Sequence, residues 1–279
     1  MPNVFLPQGL EICYETFGRA ENPTVLLMHG LGSQLLLWED AFCEELVEAG
    51  FHVIRYDHRD SGLSSTMDSP YDLSDMALDA KSLLAYLDVE RAHIVGFSLG
   101  GMVAQVFASE HPQNTLSLIS MASNTGEKGF GDLPKGEVLE ALLAPSPENP
   151  NERAAKDLAD RRLWASPKWH DDQHCLKVFK KYAERSCKPA EAQERQMSSI
   201  FLTGNRKAKL SKIKTPTLVL HGNADTLIDF SGGKRTAEVI PNAKLVIIDG
   251  WGHDLPPGSW PEIVEEILKH IRHAGSLKS

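Results

Sequence analysis

No apolar run in this chain is long enough to cross a bilayer; the longest, such as Val25-Leu26-Leu27-Met28, are strand-sized. The N-terminal Met1-Pro2-Asn3-Val4-Phe5-Leu6-Pro7 has neither a basic stretch nor an extended apolar core, so no secretory signal is expected there. Basic residues are in deficit, with 29 Lys and Arg against 38 Asp and Glu, a formal net charge of −9. That balance speaks against a nucleic-acid surface and against binding to an anionic membrane, both of which need basic clusters. Cysteine is scarce: Cys13, Cys43, Cys175 and Cys187 stand far apart with no C-x-x-C spacing. They read as reduced thiols in the interior or on helices, and the expected compartment is the cytoplasm. No glycine cluster fits G-x-G-x-x-G or a phosphate-binding loop, and no H-E-x-x-H is present. His170 and His174, four apart, would share a helical face, yet they have no third ligand nearby and read as a solvated surface. Neither a cofactor nor a metal is expected, and the sequence leaves the oligomeric state open.

The 279 residues, 42% hydrophobic and 24% charged, suffice for one large α/β unit with a core deep enough for a pocket. Two short strands, Val4-Phe5-Leu6 and Glu11 to Glu15, flank a Pro7-Gln8-Gly9 turn. The continuous apolar run Thr24 to Met28 suits a strand buried on both faces. A helix over 38–49, a strand over 52–56 and a helix capped by Ser74 or Asp75 follow. Then come a strand over 92–95, a helix ending at His111-Pro112 and a strand over 116–121. This alternation predicts a mostly parallel, doubly wound sheet of about eight strands. It breaks between Asn124 and about Lys212, where charge and proline accumulate around helical runs near 136–144, 151–164, 172–186 and 189–201. Strands over 215–220 and 245–248 and a closing helix over 259–273 resume it. The expected organisation is a core of residues 1–123 and 213–279 with a helical cap, 124–212, inserted after the sixth strand. Of the cap aromatics Trp164, Trp169, Phe179, Tyr182 and Phe201, most are expected to fix the cap to the core rather than line a pocket.

Chemistry concentrates at strand ends. Gly96-Phe97-Ser98-Leu99-Gly100 places a serine on a sharp strand-to-helix turn, where a strained backbone demands very small residues two positions away on either side. Serine is a weak nucleophile that needs a base, and the base needs an orienting carboxylate. Asp225 follows the 215–220 strand and His253 the 245–248 strand, so Ser98, Asp225 and His253 all stand at C-terminal strand ends, where ligands bind in parallel sheets. Asp229 and Asp249 are the competing carboxylates, and both read as loop supports.

The order serine, acid, histidine, with this spacing, resembles the α/β-hydrolase superfamily over nearly the whole chain except the cap. By that resemblance the His29-Gly30-Leu31-Gly32 run is an oxyanion loop. The backbone N–H groups of Leu31 and Leu99 would then form the oxyanion hole, with His29, Gly30, Gly96 and Gly100 as its support. Asp57-His58-Arg59-Asp60-Ser61-Gly62-Leu63-Ser64 is similar to the family loop D-x-R-G-x-G-x-S and departs from it at Asp60, where glycine is usual. The Arg55 to Asp60 run is similar to aclacinomycin methylesterases, and Gly96 to Met102 to enol-lactonases. The resemblance implies a serine esterase acting on a small, largely hydrophobic ester, a carboxylesterase or methylesterase. Enol-lactonase, carbon–carbon bond hydrolase and cofactor-free perhydrolase use the same triad, and a small-molecule receptor retaining the fold is the alternative outside catalysis. Leu35, Leu36 and Leu37, after the oxyanion loop, point to an apolar substrate group.

Overall fold

Eight strands form one sheet in the order β1-β2-β4-β3-β5-β6-β7-β8. They are β1 (Asn3–Phe5), β2 (Glu11–Phe17), β3 (Thr24–Met28), β4 (His52–Tyr56), β5 (Ala92–Phe97), β6 (Thr115–Met121), β7 (Thr217–Gly222) and β8 (Lys244–Ile248). This computed structural model describes residues 1–186 and 188–276, so Cys187 lies outside the described residues. β2 pairs antiparallel with β1 and with β4, and every later neighbour pair runs parallel. Among the described residues, no helix is long and apolar enough to cross a membrane.

The apolar runs of β3, β4 and β5 are buried at every position because helices cover both faces. Side chains alternate along a strand, so each run splits between two cores. Leu26, Met28, Ile54 and Ile94 pack beneath α2 (Leu73–Tyr86) and α3 (Leu99–Glu110). Val25, Leu27, Val53 and Val95 pack against α1 (Asp40–Glu48) and α10 (Trp260–Ser276), whose Ile263, Ile267 and Ile271 form one buried stripe. Each such side chain contributes roughly 1.5–3 kcal/mol when fully buried. The two-sided core is therefore what holds the strand ends, and the residues on them, in place.

α2 begins earlier than the sequence predicts. The Asp72 carboxylate accepts from the Ser74 and Asp75 N–H groups, and Asp75 returns a bond to the Asp72 N–H. This reciprocal cap puts Leu73 inside the helix, fully buried, where a start at Ser74 or Asp75 would leave it outside. Between β6 and β7 lie α4 (Glu137–Leu143), α5 (Pro150–Trp164), α6 (Asp172–Arg185), α7 (Ala190–Thr203) and the single turn α8 (Lys207–Leu210). The sequence reading missed α8 and also α9 (Ser231–Val239), which joins β7 to β8. α9 opens on Ser231-Gly232-Gly233, a loop-like composition. The helix is pressed so tightly onto β7 that a Cβ at Gly233 would lie 2.5 Å from His221 Nδ1.

Candidate active site

Ser98 sits between β5 and α3 with φ +56° and ψ −120°, a conformation rare for any residue but glycine. A Cβ at Gly96 would fall 2.1 Å from the Gly100 carbonyl oxygen, and one at Gly100 would fall 2.2 Å from the Met28 carbonyl oxygen. Both positions are closed to side chains by backbone, so the turn can tighten until its serine stands clear of the sheet.

The structure brings the three predicted residues together. His253 Nδ1 donates to Asp225 Oδ2 at 2.7 Å, and Ser98 Oγ donates to His253 Nε2 at 2.9 Å. All three are nearly buried, at 8% exposure for Ser98, 6% for Asp225 and 4% for His253. An ionised carboxylate only accepts, so Asp225 fixes the proton on Nδ1 and leaves the Nε2 lone pair for serine. Asp225 Oδ1 also accepts from the Leu227 and Ile228 N–H groups at 2.9 and 2.8 Å. Burial pushes the Asp225 pKa up, but the charge of His253 and hydrogen bonds from His221 and His253 prevail and hold it well below the usual carboxylate range.

The His253 loop is held from above. Its N–H donates to the Trp164 carbonyl at 2.6 Å, and Arg161 donates to its carbonyl at 3.1 Å. Asp254 accepts from the Ser166 N–H at 3.1 Å and from the Ser166 hydroxyl. Asp249 accepts from Asn223 and Asp229 from the Ser231 N–H, so both competing carboxylates do support loops.

His29 lies under the loop after β3. Its Nε2 accepts from the His58 N–H at 3.1 Å, which puts the proton on Nδ1, donated to the Gly30 carbonyl at 2.8 Å. Burial pushes its pKa down to about 4, so it is neutral and orders the loop. Asp57 ties the same loop to α6, accepting from the Leu35 N–H at 2.8 Å and pairing with Arg185 at 2.7 Å.

The departure at Asp60 has a structural reason. Asp60 takes the left-handed backbone its loop requires, φ +64°, which glycine usually supplies. Its carboxylate then receives a two-pronged ion pair from Arg195 on α7, at 2.8 and 2.9 Å. One residue later, the fully enclosed Gln196 accepts from the Gly32 N–H at 3.2 Å and donates to the Arg59 carbonyl at 2.9 Å. Arg195→Ala leaves a buried carboxylate without its cation and is expected to cost about 2 kcal/mol in urea unfolding. Asp60→Gly on that background should recover part of the loss. A single-variant loss under about 0.5 kcal/mol would show that the pair holds nothing.

Ser98 and His253 open into a cavity of about 590 Å³ bounded by Leu37, Met102, Met197 and Leu227. Leu31 and Leu99 line it too, and Leu99, as the first residue of α3, has no intrahelical acceptor for its N–H. Trp164, Phe179, Tyr182 and Phe201 also face this space, so the expectation that most cap aromatics serve as glue is corrected. Trp169 alone of the five packs instead against the core and Lys168. The helical pairing of His170 with His174 fails as well. α6 starts at Asp172, so His170 precedes it and bonds Asp172 at 2.6 Å, while His174 reaches Glu39 at 2.7 Å. Cys13 and Cys43 are buried free thiols and Cys175 is a half-buried one.

His221, Gln196 and Arg195 escaped the sequence reading. His221 Nε2 donates to the Ile228 carbonyl at 2.9 Å and stands 3.3 Å from Asp225 Oδ2. Its signal was the four-residue spacing to Asp225. The two α7 residues gave none, because their partners lie more than a hundred positions away.

A sheet of this order, with a serine on the turn after β5 and a histidine after β8, defines a hydrolase scaffold. Residues 23–256 match the sequence profile of the alpha/beta hydrolase fold, and the chain belongs to that family. A rhodomycin D methylesterase of Streptomyces peucetius is 29% identical over 93% of this chain and 94% of its own. A 3-oxoadipate enol-lactonase of Acinetobacter baylyi is 24% identical over 95% of both. Among solved structures, a hydrolase from Pseudomonas aeruginosa superposes with a TM-score of 0.73 at 26% identity, covering 98% of this chain and 97% of that one. The esterase RhEst1 from a Rhodococcus species shares the fold at a TM-score of 0.81 and 21% identity, covering 97% and 98%. The relatives are hydrolases and esterases, and the chain is an enzyme of that group.

Proposed function

We propose that this chain is a serine hydrolase that cleaves the carboxylic ester of a small, largely hydrophobic molecule through an acyl-enzyme on Ser98. The observation that carries the reading is the unbroken relay from Asp225 through His253 to Ser98 at the floor of a mostly apolar cavity that opens to solvent. His253 Nε2 takes the serine proton as Oγ attacks the ester carbon, and Asp225 stabilises the imidazolium. The tetrahedral oxyanion rests on the Leu31 and Leu99 N–H groups. Collapse breaks the carbon–oxygen bond of the alcohol, which leaves with the proton from His253. Water then attacks the acyl carbon, gives its proton to the same nitrogen, and the acid departs as Ser98 recovers its hydrogen. These side chains and water complete the reaction.

The inserted helices act in this reading as a cap over residues 124–212. They supply the Trp164, Phe179 and Phe201 walls, while the Leu37 side of the cavity comes from the loop after β3. The methylesterase and enol-lactonase names of the relatives keep methyl esters and enol-lactones among the first substrates to try. A fluorophosphonate should add one adduct, on a peptide containing Ser98, and abolish hydrolysis of a p-nitrophenyl ester series. The same series set beside lactones, vinylogous diketones and peracid formation ranks the activities. Full turnover in the presence of a complete Ser98 adduct would overturn the assignment.

A further inference from the structure

Asp157, on α5, is a carboxylate that lines the cavity above Ser98 and also a smaller chamber of about 50 Å³ behind the oxyanion loop. The ionic groups around it have partners. Lys156 is bound to Asp160 and donates to the Ala141 carbonyl at 3.4 Å. Arg161 donates to the His253 carbonyl at 3.1 Å and lies over the Phe179 ring. Arg153 donates to the Lys188 carbonyl at 3.4 Å. Among the described residues Asp157 itself receives no hydrogen bond and no ion pair. Asp157 is half-buried, and with no protein donor on its carboxylate it is free to accept a hydrogen bond from a ligand in the cavity.

We propose that Asp157 is the specificity residue of the cap, accepting a hydrogen bond from a neutral hydroxyl on the substrate, remote from the scissile ester. The neighbours select the donor. The charges that act on Asp157 are three cations, Arg153, Lys156 and Arg161, against the single anion Asp160, so its immediate surroundings disfavour an ammonium group. An alcohol or phenol O–H brings the donor without the charge. The rest of the cavity is largely apolar, so one remote hydroxyl would set the direction in which a hydrophobic ester lies. The inference rests on the esterase reading for the word ester and deepens it by naming a substrate class.

Burial pushes the Asp157 pKa up to about 6, against the pull of Arg153, Lys156 and Arg161. Tyr182 of α6, with Lys188 and Asp60, faces the same small chamber. The folded protein therefore holds the Asp157 proton more tightly than the unfolded chain does. Stability falls as pH rises from the ordinary aspartate value through about 6, and ionised Asp157 stays destabilising above it. Asp157→Asn should melt above the wild type at pH near 8, with the gap closing near pH 4.

The test compares methyl esters of ω-hydroxy acids with equally long alkyl esters over a series of chain lengths. Binding is measured by calorimetry on Ser98→Ala and on Ser98→Ala with Asp157→Leu, and turnover on the enzyme with native Ser98 and its Asp157→Leu and Asp157→Asn forms. At the chain length that reaches Asp157, the hydroxy-over-alkyl preference should drop about 10- to 100-fold in the leucine variant, in Kd and KM with kcat little changed. In the enzyme with native Asp157 that preference should grow as pH rises through about 6. The ratio of the two substrates cancels any pH effect common to both. A preference unchanged within twofold at every length would overturn the proposal, and Asp157→Asn, nearly isosteric, guards against misfolding. Loss of all ester turnover with the binding preference intact would overturn the esterase reading and leave the Asp157 assignment standing.

Discussion

Ser98→Ala is expected to lower kcat for ester hydrolysis by on the order of 10⁴- to 10⁶-fold, with KM changed little. In the proposed mechanism the hydroxyl provides the bond-forming atom and the hydrogen held at 2.9 Å by His253 Nε2, but little of the cavity wall. Activity should not vanish. The Leu31 and Leu99 N–H groups and the cavity remain and would support a residual rate about 10³- to 10⁴-fold above water. A rate within tenfold of the unmodified enzyme would remove Ser98 from the reaction. Ser98→Gly separates chemistry from fold: it should be equally inactive yet more stable by about 1 kcal/mol, because φ +56° strains every residue except glycine. Thermal melts and steady-state rates on the same preparations check both.

Gly100→Ala is expected to have a large structural effect. The added methyl would lie 2.2 Å from the Met28 carbonyl oxygen and 2.6 Å from that of His29, both main-chain atoms of a strand end buried on two faces. No rotamer relieves such a contact. Either α3 slides away from the sheet or the loop at His29 moves, and a loss of about 3–5 kcal/mol follows, enough to unfold a protein of ordinary stability. Any folded remainder should also lose activity, since the displaced groups are those proposed to hold the oxyanion. Urea unfolding that stays within about 1 kcal/mol of the wild type would refute this packing.

The sheet was legible because its signal is local. Val25 to Met28 is an unbroken apolar run and His52 to Tyr56 a β-branched and aromatic stretch interrupted by Arg55, and the observed strands coincide with both. Ser98, Asp225 and His253 were legible because each stands on a short loop directly after such a strand, so sequence order alone carries them to one end of the sheet. What connects the inserted helices to that end was not legible. Arg195 and Gln196 look like ordinary polar helix positions until Asp60 and Gly32 are seen beside them. Asp60 was read correctly as a departure from the loop pattern, yet its purpose lay on another element. α9 was missed because two glycines at a helix start look like a turn; Gly233 is needed beneath the ring of His221 and Gly232 against Asn124 and the Ser123 carbonyl.

The inserted helices have a modest interior of their own, centred on Ala154, Phe179 and Tyr182. Much of what fastens them comes from below, through Asp57 to Arg185, Asp60 to Arg195, and Gln196 to the Arg59 and Gly32 backbone. Such a segment is expected to exchange its amide hydrogens together with the loops after β3 and β4 rather than as a separate foldon. The loop after β3 also carries Leu31, one of the two groups proposed to meet the oxyanion. Any local opening of these helices would therefore also loosen the loop that holds the Leu31 N–H, so that admission of a ligand and order at the proposed oxyanion site would be two readings of one equilibrium.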